Sequence, residues 1–404
     1  MDLLKDGVAM GLVVPTELSR KLTIDGITKA YPVYKIRLDI LYYNDQNDRI
    51  ATWISQYKSQ HDGQSPHISN GDMYNDVIED FIVKSNPTAI AATQNNIELV
   101  DQREPGVVLV DGRIIDGNRR FTCLRRLSNK NDRFKHFEAV ILEHNIESSA
   151  KQIKMLELSI QHGEESKIDY NPIDRLVGIF NDIIDTKLLS VSEYAKSTNE
   201  PESDVRKRME ITGLMTEFLD FINAPKQFHI ARDLQIGFPL EELAKLLKKC
   251  KSVDETEDLK ICVFTNILMK TSNDLGRFVR NIKDIVTSNY MGEFIDEQKE
   301  IAYRVVDNLP PKGSVNEKLI REVIRANDEV AQELEQSMEK ALTKAKKTET
   351  RNRPIQLIEK ATTFLEDIDM NILHKFNDSE LQRVERQLAK LDKIIDEIRG
   401  NLDV

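Results

Sequence analysis

Five consecutive residues carry the strongest chemical signal in the sequence: Asp116-Gly117-Asn118-Arg119-Arg120. The pattern around them predicts a junction where a strand ends and a helix begins. Glycine lets the backbone approach a ligand closely, and the first amides of the following helix have no intrahelical acceptor. Such a helix start welcomes an anion, and the helix dipole adds to the attraction. Arg119 and Arg120 in the first turn add charge-assisted, bidentate contacts suited to phosphate. The dipole otherwise opposes two cations at that end of a helix, and an anionic ligand removes the conflict. A solvated basic helix explains the same residues, because Arg125 and Arg126 follow on the same element. Local physics leaves both readings open.

A second group lies between residues 192 and 212. Apolar spacing predicts two short helices, 192–198 and 202–212, with Ser192 as the first cap and Asn199-Glu200-Pro201 as the turn. Ser203 and Asp204 fall at the start of the second helix, followed by Arg206, Lys207 and Arg208. In a DNA-recognition helix, residues at the start reach base edges while basic side chains grip phosphate. Glu200, Glu202, Asp204 and Glu210 dilute that charge, so an ordinary helical hairpin with a solvated face is the competing account.

Other chemistries find little footing. His61 and His67 lie in a polar stretch, and His136, His144 and His162 are scattered without ligand spacing. No HExxH, Walker A loop or GxSxG occurs. Cys123, Cys250 and Cys262 are widely spaced with no CxxC, which argues against a disulfide framework or structural zinc and for a reducing, cytoplasmic home. Asp111, Asp116, Glu164 and Glu165 are the carboxylates nearest the first motif, and hairpin and loop roles explain them as well as metal binding does. No metal site is expected.

Residues 33–142, above all Val107 to Leu127, resemble the ParB/sulfiredoxin-like domain, whose hallmark is a DG hairpin followed by a G-x-R-R helix start. Asp169-Tyr170-Asn171-Pro172-Ile173-Asp174 is similar to the segment that opens the ParB helical DNA-binding domain, and 192–215 to its helix-turn-helix. Together these cover about half the chain. The resemblance implies an α+β protein, with a small nucleotide-binding α/β domain followed by a helical body containing a helix-turn-helix. It implies that Gly117, Asn118, Arg119 and Arg120 contact the phosphates of a nucleoside triphosphate, CTP or ATP, accompanied by Mg2+. Where ParB proteins carry an E-N-x-x-R box, this chain has Gly163-Glu164-Glu165-Ser166-Lys167. Glu164, Glu165 and Lys167 are therefore the residues expected to handle nucleotide and metal, with Lys167 a point charge in place of a planar guanidinium. The Glu-Asn pair is absent, which leaves hydrolysis and the choice of base open. The catalytic cysteine of sulfiredoxin falls at Asn118, and Cys123 reads as a small buried hydrophobe.

The elements that must position these residues follow from patterning. Val33, Ile36, Leu38 and Ile40 suggest a strand, and residues 50–57 and 74–83 suggest helices. Val107–Val110, a two-residue Asp111-Gly112 turn of type I′, and Arg113–Ile115 predict a hairpin. A helix from Asn118 and a strand at 137–142 complete a small α/β domain. Beyond residue 150 only helices are expected. These include a long charged helix over 316–345, a basic linker over 346–354 and a final apolar seam at Leu381, Val384, Leu388, Leu391, Ile395 and Ile398, which either dimerises or packs on a helix at 355–373. In 404 residues, 16 glycines and 12 prolines are few, in keeping with a helical chain. The expected division is an irregular arm (1–30), the nucleotide domain (31–150), the helix-turn-helix domain (151–226), a helical domain (227–345) and a C-terminal segment (346–404). No run is long enough to span a membrane. The net charge of −11 disfavours indiscriminate nucleic-acid coating, yet permits a local basic site. The leading expectation is a nucleotide-responsive, dimeric, duplex-DNA-binding protein of a plasmid, phage or mobile element. The alternatives are an NTP-dependent nuclease, ATPase or kinase of the same superfamily, such as one in phage defence, and an adaptor whose C-terminal helices hold a partner protein beside a degenerate nucleotide site.

Overall fold

The computed structural model describes residues 1–24, 27–143, 146–163 and 171–402. The chain forms two compact units, Met1–Leu342 and Thr343–Val404. The first is mixed α and β. Its five-stranded sheet runs in the order β1 (Val13–Ile24), β2 (Ile27–Arg37), β5 (His136–Leu142), β3 (Gly106–Leu109), β4 (Ile114–Asp116). All pairings are antiparallel except β3 with β5, where Val107 lies opposite Val140. The stretch expected to be an irregular arm is instead an edge strand. β1 pairs with β2 from Val13 opposite Ile36 to Ile24 opposite Ile27 and bulges between Pro15 and Ser19. Most of its side chains are exposed, so it lacks the apolar alternation by which a half-buried strand is read. β2 stops at Arg37, and Leu38–Ile40 turn away as a 3-10 segment.

The hairpin between β3 and β4 closes differently from the two-residue turn expected. The Gly112 amide donates to the Leu109 carbonyl (2.9 Å), the Leu109 amide donates to that of Arg113 (2.8 Å), and only Gly112 has a positive φ (99°). This is a three-residue loop ending in a left-handed glycine.

Alternation along the strands serves two cores. Ile36, Val108, Ile114, Phe137, Ala139 and Ile141 face one side with Tyr74, Ile78, Ile90, Phe121 and Leu124. Those partners come from α2 (Asp72–Ser85), α3 (Pro87–Val100) and α4 (Asn118–Ser128), while α1 (Ala51–Gln60) packs beside them. Leu22, Val33, Val107, Leu109, Ile115, Val140 and Leu142 face the other side, against Ile153, Leu156 and Ile160 of α5 (Ile146–Gly163). The opposite flank of α5 places Leu158 against Ile179, Tyr194 and Val205. α5 is therefore buried from two sides.

The helical body begins with α6 (Pro172–Ile179), whose N-cap Asn171 accepts from the Ile173 amide, and continues as a π-helical turn, Phe180–Asp185. Then come α7 (Val191–Thr198), α8 (Glu202–Phe221), α9 (Phe228–Asp233), α10 (Gly237–Leu247), α11 (Val253–Met269), α12 (Leu275–Val286), α13 (Met291–Asp307) and the short α14 (Glu317–Leu319). One apolar core runs from Ile173 to Ala341. Residues 223–226, expected to end a domain, are a turn between helices that share that core, with Leu219, Ala224 and Phe228 all buried in it. The long helix expected over 316–345 breaks at 325–327. There Arg325 donates to the Leu268 and Ile267 carbonyls at the end of α11 (2.9 and 3.3 Å), and Asn327 receives the Val330 amide to start α15 (Asp328–Glu366). The basic linker is also helix. Lys, Glu, Thr and Arg sustain α15 on either side of Pro354, which forfeits one backbone donor.

In the second unit, α15 is followed by α16 (Met370–Leu373) and α17 (Asp378–Gly400), the last capped reciprocally by Asn377 and Glu380. Of the expected seam, Leu381, Leu388 and Ile398 are exposed, whereas Val384, Leu391 and Ile395 are half-buried. No helix among the described residues is long and apolar enough to cross a membrane.

Candidate anion-binding site

β4 delivers Asp116 to the end of the sheet, Gly117 turns the chain, and α4 begins at Asn118. Gly117 has φ +98°, and a Cβ there would lie 2.7 Å from Phe137 Cζ, so no other residue fits without displacing the core. As N-cap it offers no side chain to the first-turn amides. Asn118 is 8% exposed, and its Oδ1 has no hydrogen-bond partner.

Arg119 and Arg120 are half-buried rather than projecting freely. Arg120 Nη2 donates to Asp116 Oδ2 (3.0 Å), and the same oxygen accepts from Arg20 Nη1 (2.9 Å). Arg20 also donates to the Pro105 carbonyl. Asp116 thus relieves part of the conflict between two cations and the helix dipole, yet one carboxylate between two arginines leaves a net positive charge.

These residues line a cavity of about 190 Å³. Its far wall brings residues that the linear pattern did not single out: Asn47 and Arg49 at the 3-10 turn Asp48–Ile50, Asn86 after α2, Thr93 of α3 and Gln161 of α5. Three guanidinium groups, those of Arg49, Arg119 and Arg120, therefore share one concavity. Its only lining carboxylate among the described residues is Asp116, already engaged by Arg20 and Arg120. Arg49 follows an Asn/Asp-rich turn and sits some seventy residues from Arg119. Only the tertiary fold brings them together. Drug-sized ligands occupy roughly 300–1,000 Å³, so this cavity suits an anionic head group, with the remainder of a larger ligand over its mouth.

Behind the cavity, Gln161 Nε2 donates to Glu157 Oε1 (3.0 Å). One turn earlier on α5, buried Lys154 places Nζ 2.8 Å from Asp48 Oδ1, 3.5 Å from Asp182 Oδ2 and 3.8 Å from Glu157 Oε2. Burial opposes its charge, but the three carboxylates hold Lys154 well above the usual ammonium range. Burial pushes Glu157 and Asp182 up, against the pull of Lys154. Asp174 is pushed up to about 7 by burial and receives the Thr52 amide (3.0 Å). Arg232 of α9 lies 3.9 Å over the Trp53 ring and donates to Thr52 and Gln56, tying the body to α1.

The hairpin of α7 and α8 exists, joined by residues 199–201 with Asn199 left-handed (φ 54°). Its cap is Ser190, not Ser192: the Ser190 side chain accepts from the Glu193 amide while Glu193 reaches back, a reciprocal box that Ser192 cannot make from inside the first turn. α8 runs nine residues past the expected end, because Leu214, Met215, Phe218 and Leu219 feed the main core. Ser203 is exposed and Asp204 half-buried at its start. Arg206 and Lys207 are exposed but pair with Glu202 (3.4 Å) and Asp204 (2.8 Å). Arg208 is held by Glu200, which also binds Arg175.

Glu164, Glu165 and Lys167 lie outside the described residues, as do His144, Asp169 and Tyr170. Cys123 is fully buried, donates weakly to the Ile90 carbonyl (3.5 Å) and has its thiol pushed up to about 12 by burial, so it is no nucleophile. Among the described residues, no three His, Cys, Asp or Glu side chains gather as a metal site. No protein-family model matches this chain, and no curated protein matches it.

Proposed function

We propose that this protein is a ParB-like, nucleotide-responsive DNA-binding protein. A nucleoside triphosphate, CTP or ATP, sits with its phosphates in the cavity at Gly117, Asn118, Arg119 and Arg120, and the protein acts on duplex DNA as a homodimer. The observation that carries the reading is the convergence of Arg49, Arg119 and Arg120 on one concavity at an uncapped helix start. The unpartnered Asn118 Oδ1 adds an acceptor for a ligand N–H or O–H. Asp116 is committed to two arginines, so Mg2+ would enter as the triphosphate's own counter-ion rather than as a protein-held metal. α5 supplies the route for response. Gln161 lines the cavity, and Leu158 on the same helix packs against the α7–α8 hairpin.

Calorimetric titration of the four ribonucleoside triphosphates, with and without duplex DNA, tests this. Arg49→Ala and Arg119→Ala should each weaken triphosphate binding at least about tenfold, the worth of one charge-assisted hydrogen bond. Arg120→Ala should weaken binding and also lower Tm, because it strips a partner from buried Asp116. Equal affinity in the wild type and all three variants would falsify the phosphate site. The adaptor reading draws on one observation, the local pairing of Arg206, Lys207 and Arg208 with carboxylates.

A further inference from the structure

The cations expected to grip DNA are engaged by carboxylates on α8 and in the turn before it, but another face of the helical body carries cations that are not. Residues 237–251 and 275–286 hold seven cations (Lys245, Lys248, Lys249, Lys251, Arg277, Arg280 and Lys283) against three acids, in a chain of net charge −11. Lys245 pairs with Glu241 and Glu242, and Lys248 with Glu210. Among the described residues, Lys249, Lys251, Arg277, Arg280 and Lys283 form no ion pair.

α10 and α12 leave between them an open groove of about 510 Å³, floored by Leu246 and Val279 and rimmed by four cations, Lys245, Lys249, Arg280 and Lys283, against two carboxylates, Glu242 and Asp284, the first of which pairs with Lys245. Partial desolvation and the charge of Lys283 hold Lys249 below its usual range, against the pull of Asp284. Two ammonium groups brought together on one rim are mutually unfavourable, and an anion lying between them reverses the sign of that interaction. The rim is also braced. Arg280 lies over the Phe238 ring (5.3 Å to its centre), and that ring lies so close over Gly276 that a Cβ there would sit 2.2 Å from it. Arg277, Arg280 and Lys283 recur every three residues and span about 9 Å of helix axis. Over that length one DNA strand offers two or three phosphates at about 3.4 Å of axis each. Single-strand platforms interleave several aromatic rings with basic residues. Here no aromatic ring lines the groove among the described residues, and Phe238 beside it is covered by Arg280.

We propose that the α10–α12 face is where this protein grips the phosphate backbone of duplex DNA, in place of Arg206, Lys207 and Arg208. The proposal rests on the DNA-binding half of the function proposed above. The test is fluorescence anisotropy of an end-labelled, mixed-sequence duplex across a salt series, using the full chain with CTP and then ATP present. Lys249→Gln, Arg280→Gln and Lys283→Gln combined should weaken binding at least about tenfold at low salt. The slope of log K against log salt should fall by about 0.9 for each phosphate left without its cation. All three side chains are exposed, so Tm should hold. Arg206→Gln with Lys207→Gln should leave the slope unchanged. If the wild type binds and the triple variant keeps its slope, or the double variant alone flattens it, the proposal is overturned while DNA binding stands. Absence of duplex binding by the wild type with either nucleotide overturns both. Retention of single-stranded RNA but not duplex by this face overturns the duplex assignment.

Discussion

Lys154 shows at residue scale how this protein handles charge. It sits among Asp48, Glu157 and Asp182, with Tyr194 and Arg175 also contributing to the local field. One ammonium among three buried carboxylates cannot balance them all, so protons must share the work. Glu157, Asp182 and Asp174 hold a proton in the folded state at pH values where the unfolded chain has already lost it. Stability from these groups is therefore present at mildly acidic pH and declines as pH rises towards about 7. His229, depressed to about 4 by burial, has the opposite sign, losing stability as pH falls below the ordinary imidazole range. Three groups against one give a net fall in Tm from about pH 5.5 to pH 8, measurable by thermal melts. Glu157→Gln should shrink that difference. Lys154→Met should cost about 3–5 kcal/mol at pH 8 and less at pH 5.5, where its neighbours can take up protons. None of this was legible in sequence, because Asp48, Lys154 and Asp182 belong to three separate elements. Gly117 was legible, since its neighbours already marked a strand-to-helix turn.

At the scale of elements, apolar periodicity located most helices, while ends and turns depended on contacts that it does not record. Ser190 caps α7 because Glu193 stands three residues on, and Arg325 ends a helical run by reaching the last carbonyls of α11. β1 escaped notice because an exposed edge strand has no apolar face to betray it. At the turn of the α7–α8 hairpin, Glu200 holds Arg175 of α6 and Arg208 of α8 together. Glu200→Ala should leave two half-buried guanidiniums facing each other and cost about 1–3 kcal/mol, read from urea denaturation. Arg206→Ala on the same helix is exposed and should cost less than about 0.5 kcal/mol. Were both variants equally mild, the clamp would be no more than surface decoration.

At the scale of the whole molecule, the second unit presents an amphipathic helix whose Leu381, Leu388 and Ile398 are 40–48% exposed. A helix with such a stripe gains by burying it against a second copy. Sedimentation velocity should report a dimer for the wild type, and Leu388→Asp should shift it to monomer without lowering the Tm of the first unit. The sequence showed the stripe but not whether the chain covers it. It also suggested a break near residue 226 that one shared core removes. Periodicity identifies which residues are buried, not which of them meet.

The position of α5 sets a limit on how this chain can be taken apart. One flank seals the sheet through Ile153, Leu156 and Ile160, the other receives Leu158's partners from the body, and Lys154 joins Asp48 to Asp182. A fragment ending before α5 would carry a naked sheet, and one beginning after it would strand the hairpin. Anyone trimming the protein for crystals, or fusing a reporter inside the first unit, therefore has no neutral seam between its sheet and its helical body.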